Sequence, residues 1–449
     1  MGDPGCGLDA AAFCDPFDAP SSALGRAGEL DPLKWSGARN EPQAPTASGN
    51  AYAIGLATIA NCRAGLPDRV LPDQDTLICD PSQNIATNYL LVAVAAQNYG
   101  QNSYRVRQPF DFSGRTGHLV FDAEGFNQQL LGWISVEVTE DPIAVPSYGV
   151  ATNDEGGVLP KNGFELQFSY PCPATKPTQF SLTALHLFHD YADTVVPADY
   201  LSPTPAPCVD FAQGKLNHFE VQVSQQKIDV YVTPVSPDGA SFGEPILQLS
   251  QAVVLPFSRG YVQISTHNHA TLKYSANNAL DAWLARWDNV GFDGPVLNGF
   301  REYEVPDALS ASQSSVGAVN IGYRVADVAQ GPSQTLQLKG VDPSTATSAR
   351  LALSAWIPDG SYAEYILKFR LNGGPWHDRA LSADEITART APVIVGQGAG
   401  GSQGVLGLML DVPLSELIAG DNTLEIVTAN VPQSYPLGVA NIDLVLTTQ

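Results

Sequence analysis

Two histidines two residues apart, His267 and His269 in ISTHNHATLKYS (264–275), are the first side chains with chemistry to offer. Positions i and i+2 of a β-strand project to one side, so both imidazoles would share a face. That face reads Tyr261, Gln263, Ser265, His267, His269, Thr271 and Lys273; the other reads Val262, Ile264, Thr266, Asn268, Ala270 and Leu272. Imidazoles on a polar face can bond hydroxyls, take a proton as a base, or ligate a metal, for which the sequence names no third ligand. The plain alternative is the wet side of a strand. Arg105 and Arg107 in SYRVRQPF share a strand face in the same way, and guanidinium forks suit acidic sugars through bidentate contacts. His118, Glu220 and Tyr231 are further polar-face candidates. Trp133 in GWISVEVTED offers a flat aromatic surface on which a sugar ring can stack, whereas Trp283 and Trp287 read equally well as core.

Strands must carry these groups, and the chain supplies them. GWISVEVTED alternates Ile134, Val136 and Val138 against Trp133, Ser135, Glu137 and Thr139. GFELQFSY sets Phe164, Leu166 and Phe168 against Glu165, Gln167 and Ser169. HFEVQVS and KIDVYVT alternate likewise around a short turn at Gln225-Gln226. Such segments bury one face and leave the other polar, the pattern of antiparallel sandwiches. A second series runs from about residue 303: QTLQLKG, ARLALSAWI, EYILKFRL, GLMLDVPL, NTLEIVTANV and NIDLVLTT. LNGGPW (371–376) predicts a hairpin, and VGQGAGGSQG (395–404) a loop without the strand-to-helix setting of a dinucleotide site.

A chain of 449 residues exceeds what one core usually serves, and PVLNGF makes a plausible linker, so domains of 1–297 and 298–449 are expected. Acids outnumber bases 46 to 23, and a net charge of −23 without a basic stripe argues against nucleic acid. No apolar run is long enough to span a membrane as a helix. The six cysteines, at 6, 14, 62, 79, 172 and 208, pair most simply as 6–14, 62–79 and 172–208. Bridges of that kind imply an oxidising, extracellular setting. The opening MGDPGCGLDAAAF lacks the basic and apolar regions of a signal peptide and is read as the start left after one is removed.

Several stretches resemble a known family. FCDPFDAPSSALGRAGELDPLKWS (13–36), NHFEVQVSQQKIDVYV (217–232) and RGYVQISTHNHATLKYS with RWDNVGFDGP are similar to secreted concanavalin A-like lectin/glucanase domains with laminin-G-like strands. FRLNGGPW followed by DVPLSELIAGDNTLEIVTANV resembles galactose-binding-like jelly rolls, in which Asn372, Gly373, Gly420 and Asn422 would set turns. The resemblance implies an all-β chain of two antiparallel β-sandwich (jelly-roll) domains.

It also implies chemistry. Glucanases of this class carry E-x-D-x-x-E on one strand, one carboxyl serving as acid and another as nucleophile or base. The nearest match here places Glu137 and Asp141 on one face with Trp133, but Thr139 stands where the middle aspartate belongs. Calcium is the cofactor the fold class implies, with Asp288 and Asp293 the leading ligands and Asn289, Asp111, Asp122 and Glu124 as other oxygen donors. The expected activity is recognition of an extracellular polysaccharide on the concave face of the first sandwich, through Trp133, His267, His269, Arg105, Arg107 and Tyr231. A glycoside hydrolase or polysaccharide lyase with a non-standard active site, and a structural surface or matrix protein, are the alternatives.

Overall fold

The computed structural model describes residues 5–23, 26–42, 57–60, 89–95, 100–126, 132–143, 158–169, 179–196, 209–210, 216–235, 242–268, 282–305, 313–316, 319–325, 335–356, 366–390, 405–429 and 437–449. Alternation of apolar and polar residues becomes alternation of burial along these strands. In Asn217–Ser224, residues Phe219, Val221 and Val223 are buried, and the polar residues between them are half-buried. Ser224 pairs with Lys227 across the turn, which closes the expected hairpin with Lys227–Thr233. The chain is all-β and antiparallel in its pairings, apart from one short parallel contact between Val405–Val412 and Val158–Leu159.

Three sheets form among the described residues. An eight-stranded sheet runs, in spatial order, Ile246–Ala252, Lys227–Thr233, Asn217–Ser224, Gly117–Phe126, Ala282–Asp293, Tyr89–Ala95 and Ala57–Ala60, with Ala11–Asp15 also paired to Ala282–Asp293. The first part of a second, larger sheet faces it. That part runs Ala192–Val196, Gln179–His189, Gly163–Ser169, Gly132–Thr139, Arg259–Asn268, Gly100–Val106 and Trp35–Pro42. Between them lies a core of Ile134, Val136, Val138, Leu166, Val262 and Ile264 against Phe121, Phe219, Val221 and Trp287. Phe121 stacks on Phe219 at 4.9 Å, and Phe168 meets Phe219 edge-on at 5.0 Å. Trp287 is wholly buried there and donates its indole N–H to Thr266 Oγ1 at 3.2 Å.

The larger sheet does not stop at the linker. Trp35–Pro42 pairs with Gly100–Val106 through residues 35–40, then with Val319–Val325 through Glu41 and Pro42. From there the sheet continues through Leu437–Thr448, Ala346–Trp356 and Val405–Val412. A four-stranded sheet of Thr335–Val341, Gly420–Ala429, Ile366–Leu371 and His377–Ala380 covers this second part. The second core is built from Leu351, Leu353, Leu408, Leu444, Phe369 and Leu424, and it also takes in Leu159, Phe188 and Tyr191 from before the linker. Asn372, Gly373 and Gly420 have the positive φ that tight turns demand, at 52°, 70° and 99°. The helix among the described residues, Ala383–Thr390, begins with a capping box. Glu385 N–H donates to Ser382 Oγ at 3.2 Å, and Ser382 N–H donates to Glu385 Oε2 at 2.7 Å.

Cys6 and Cys14 form a disulfide. Cys62, Cys79, Cys172 and Cys208, and the loop at 395–404, lie outside the described residues.

Candidate functional site

The chemistry gathers on the face of the Gly132–Thr139 strand that turns away from the core. Strand register carries one row of side chains across five strands: His186 opposite Glu165, Glu165 opposite Glu137, Glu137 opposite Gln263, and Gln263 opposite Arg105. The row two residues along reads Gln167, Ser135, Ser265 and Ser103. Each member of both rows is at most 2% exposed. Strand parity thus sorts the faces as the sequence implies, but the second face is as dry as the first.

Polar groups without water must satisfy one another. Ser135 Oγ donates to Glu137 Oε1 at 2.6 Å, and Ser265 Oγ donates to Glu137 Oε2 at 3.1 Å. The Ser103 and Ser265 hydroxyls share a bond at 2.7 Å, and Gln167 Nε2 donates to Glu165 Oε1 at 3.0 Å. Burial, then the neighbouring Glu165 charge, pushes the Glu137 carboxyl well above its usual range, more than the bonds from Ser135, Ser265 and Gln263 hold it down. Directly opposed residues on adjacent strands place their Cβ atoms about 4.5–5.5 Å apart. Two carboxyls therefore stand side by side, one of them inclined to keep its proton.

His186, at the end of the row, bonds through Nδ1 to both carboxylate oxygens of Asp193, at 3.1 and 3.0 Å. Burial alone would lower its pKa, but the bond and charge of Asp193, with the charge of Glu165, raise it. Its Nε2 is buried and has no hydrogen-bond partner among the described residues. At the opposite end, Arg105 Nε and Nη1 are in the same state. Glu165 and His186 were not singled out from the sequence. Glu165 sat in view on the polar side of GFELQFSY, and only the pairing of that strand with Gly132–Thr139 makes it a partner of Glu137.

The other expected residues scatter. Asp141 lies beyond the end of its strand and ion-pairs with Arg350 at 3.3 Å; burial raises its pKa and Arg350 restrains the rise. Arg105 donates to Glu302 Oε1 at 2.6 Å and lies 3.6 Å from Asp443. Arg107 donates to the main-chain oxygens of Glu302 and Trp35, at 2.5 and 3.0 Å, and lies 3.4 Å from Glu304. These arginines therefore bind the two parts of the chain together. Arg26 completes the seam, donating to Asp443 Oδ1 at 2.6 Å, Ile442 O at 3.0 Å and Gly37 O at 3.0 Å. Gly37 passes so close that a Cβ there would sit 2.6 Å from the Arg26 carbonyl. Asp443 is pushed up to about 7 by burial, with Arg26 opposing and Glu302 and Glu304 adding to the rise.

Tyr231 belongs to the eight-stranded sheet, opposite Glu220, so it cannot join the Glu137 row on the other sheet. His118 pairs with Glu220 at 2.8 Å on that same sheet. Trp133 and His267 are register partners, one pair beyond Ser135 and Ser265. Their side chains, and all of His269, lie outside the described residues.

Asp288 and Asp293 are engaged by different partners. Asp288 accepts the Asn289 N–H at 2.8 Å and lies opposite Asp122, which is bonded by His218 Nδ1 and Asn289 Nδ2, both at 2.7 Å. Asp293 is bound by the Arg115 guanidinium and by the His118 N–H, and Arg115 holds its pKa low against burial. A carboxylate already neutralised by arginine is a poor calcium ligand. No group of three His, Cys, Asp or Glu suited to a metal occurs among the described residues. The proposed aspartates do not fit calcium.

No family model matches the chain, and no curated protein matches it. Among solved structures it is similar to a β-1,3-glucanase from Mycobacterium marinum, at 12% identity over 63% of this chain and 98% of that one, with a TM-score of 0.31. It is also similar to the VIP36 exoplasmic/lumenal domain in its Ca2+/Man3GlcNAc-bound form, at 14% identity over 47% and 81%, with a TM-score of 0.30. A Bacillus licheniformis β-glucanase gives 10% identity over 64% and 100%, with a TM-score of 0.30. Likenesses of this size leave the reading of the site to its own residues.

Proposed function

We propose that this is a secreted glycan-recognition protein, organised as domains of 1–297 and 298–449, that engages an extracellular polysaccharide on the polar face built around Glu137. The observation that carries the reading is the five-strand row from His186 to Arg105, whose two ends hold buried nitrogens without partners among the described residues. These nitrogens want acceptors, and a glycan hydroxyl that reaches either end of the row, itself at most 2% exposed, supplies one. Trp133 and His267, next along the same strands, would extend the contact. The Cys6–Cys14 bridge suits an oxidising compartment. No helix among the described residues is long and apolar enough to cross a membrane.

One observation favours a second reading, cleavage of the glycan. Glu137 and Glu165 are opposed carboxyls on neighbouring strands, a pair of the kind a glycosidase needs, and burial inclines Glu137 to stay protonated, as a general acid must. Glycan-array capture by the whole protein, then calorimetry on Glu165→Gln and His186→Gln, tests binding; release of reducing ends tests cleavage. Each substitution should weaken binding about tenfold, the worth of one good hydrogen bond. A protein that captures no glycan, or two variants that bind as tightly as the parent, would refute the proposal.

A further inference from the structure

A cavity of about 310 Å³ opens where the two parts of the chain meet, beside the Phe300–Glu304 strand. Its volume stands at the lower end of the roughly 300–1,000 Å³ typical of ligand sites, enough for one ring-sized guest. Tyr261, Phe300 and Tyr303 give it aromatic walls, and Leu33, 86% exposed, stands at its edge as an uncovered apolar side chain.

The charges within it are already matched. Arg107 is held by main-chain oxygens and lies 3.4 Å from Glu304. Arg301 pairs with Asp342 at 2.5 Å, and the Glu302 carboxylate is held by Arg105 at 2.6 Å. An ionic guest would therefore find no uncompensated partner. A wholly apolar guest would bury the Tyr261 and Tyr303 hydroxyls, of which the second accepts the Asp342 N–H at 2.9 Å and still has its own proton to donate.

We propose that this junction cavity is a separate binding site for a single neutral sugar ring. Such a ring presents C–H groups to aromatic walls on one face and hydroxyls at its edge, which is the division of surface the cavity offers. The inference stands apart from the Glu137 face, because that row meets the cavity only through Arg105, which holds Glu302 and lies over the Tyr261 ring but is not among the lining residues.

Saturation-transfer NMR on the full chain with glucose, galactose, mannose, xylose and N-acetylglucosamine tests it. At least one sugar should receive signal. Leu33→Asn, at an exposed position, and Phe300→Ala should each weaken that sugar about tenfold, while Glu165→Gln leaves it unchanged. A signal that follows Glu165, or one that survives both cavity variants, overturns the proposal. So does silence from all five sugars.

Discussion

Replacing Glu137 by glutamine separates the buried carboxyl's charge from its shape. In the folded chain its pKa lies well above 4.5, because burial and then Glu165 disfavour the charge. In the unfolded chain it titrates near 4.5. Between those two values the folded state holds one proton more than the unfolded state. Stability is therefore fully present below the unfolded value and falls as pH rises, by about 1.4 kcal/mol per pH unit. Glutamine keeps the volume, and its one amide oxygen can accept from Ser135 or from Ser265 while its NH2 faces the other hydroxyl, but it does not titrate. The variant should cost up to about 1 kcal/mol at pH 4, for an imperfect bond at its amide. It should then gain on the parent by about 1.4 kcal/mol for each pH unit until the folded carboxyl titrates. Urea unfolding followed by tryptophan fluorescence, every half unit from pH 4 to 7, gives the difference directly. Parallel curves for the two proteins would refute the reasoning. Glu165→Gln, by removing the like charge, should close the window at a lower pH.

Two further outcomes concern the seam and the bridge. Arg26→Ala leaves Asp443 buried beside Glu302 and Glu304 and should cost about 3–5 kcal/mol. Because Asp443 is already raised to about 7, the parent should stop losing stability to this group above that pH, whereas the variant goes on losing it; thermal unfolding at pH 6, 7 and 8 checks this. Replacing Cys6 and Cys14 by serine opens a link across a sequence separation of 8 and should cost about 2.5 kcal/mol of chain entropy, read as a shift in the urea midpoint under non-reducing conditions.

Alternation made the strands and their faces legible. Ile134, Val136 and Val138 point into the core, and Gln263 and Ser265 away from it, as their parity required. Parity says nothing about what overlies the second face, so polar residues that looked wet turned out dry. The arginines show the same limit. Arg105 and Arg107 pair with Glu302 and Glu304, an R-x-R at the end of the Gly100–Val106 strand, its second arginine just past it, matched to an E-x-E on another strand. The complementarity is written in the sequence, but nearly two hundred residues separate its halves, and only sheet order joins them. Glu165 was hidden for a similar reason: a carboxylate becomes half of a pair only once its neighbouring strand is known.

The Arg26–Asp443 contact spans 417 residues, and that distance has a consequence for biosynthesis. At the roughly 5–20 residues per second of translation, Asp443 emerges some 20–80 s after Arg26. Until Glu302 and Glu304 emerge, Arg26, Arg105 and Arg107 lack every carboxylate of the seam, and Arg26 goes without Asp443 to the end of the interval; a guanidinium cannot enter a dry interior alone. The seam must therefore stay open and hydrated on the ribosome, while the hairpins before it have time to form. A chain cut short before the Leu437–Thr448 strand would lack Asp443 and the strand that Phe300–Glu304 pairs with, leaving Arg26 without its 2.6 Å partner, a mark by which an unfinished molecule could be told from a finished one.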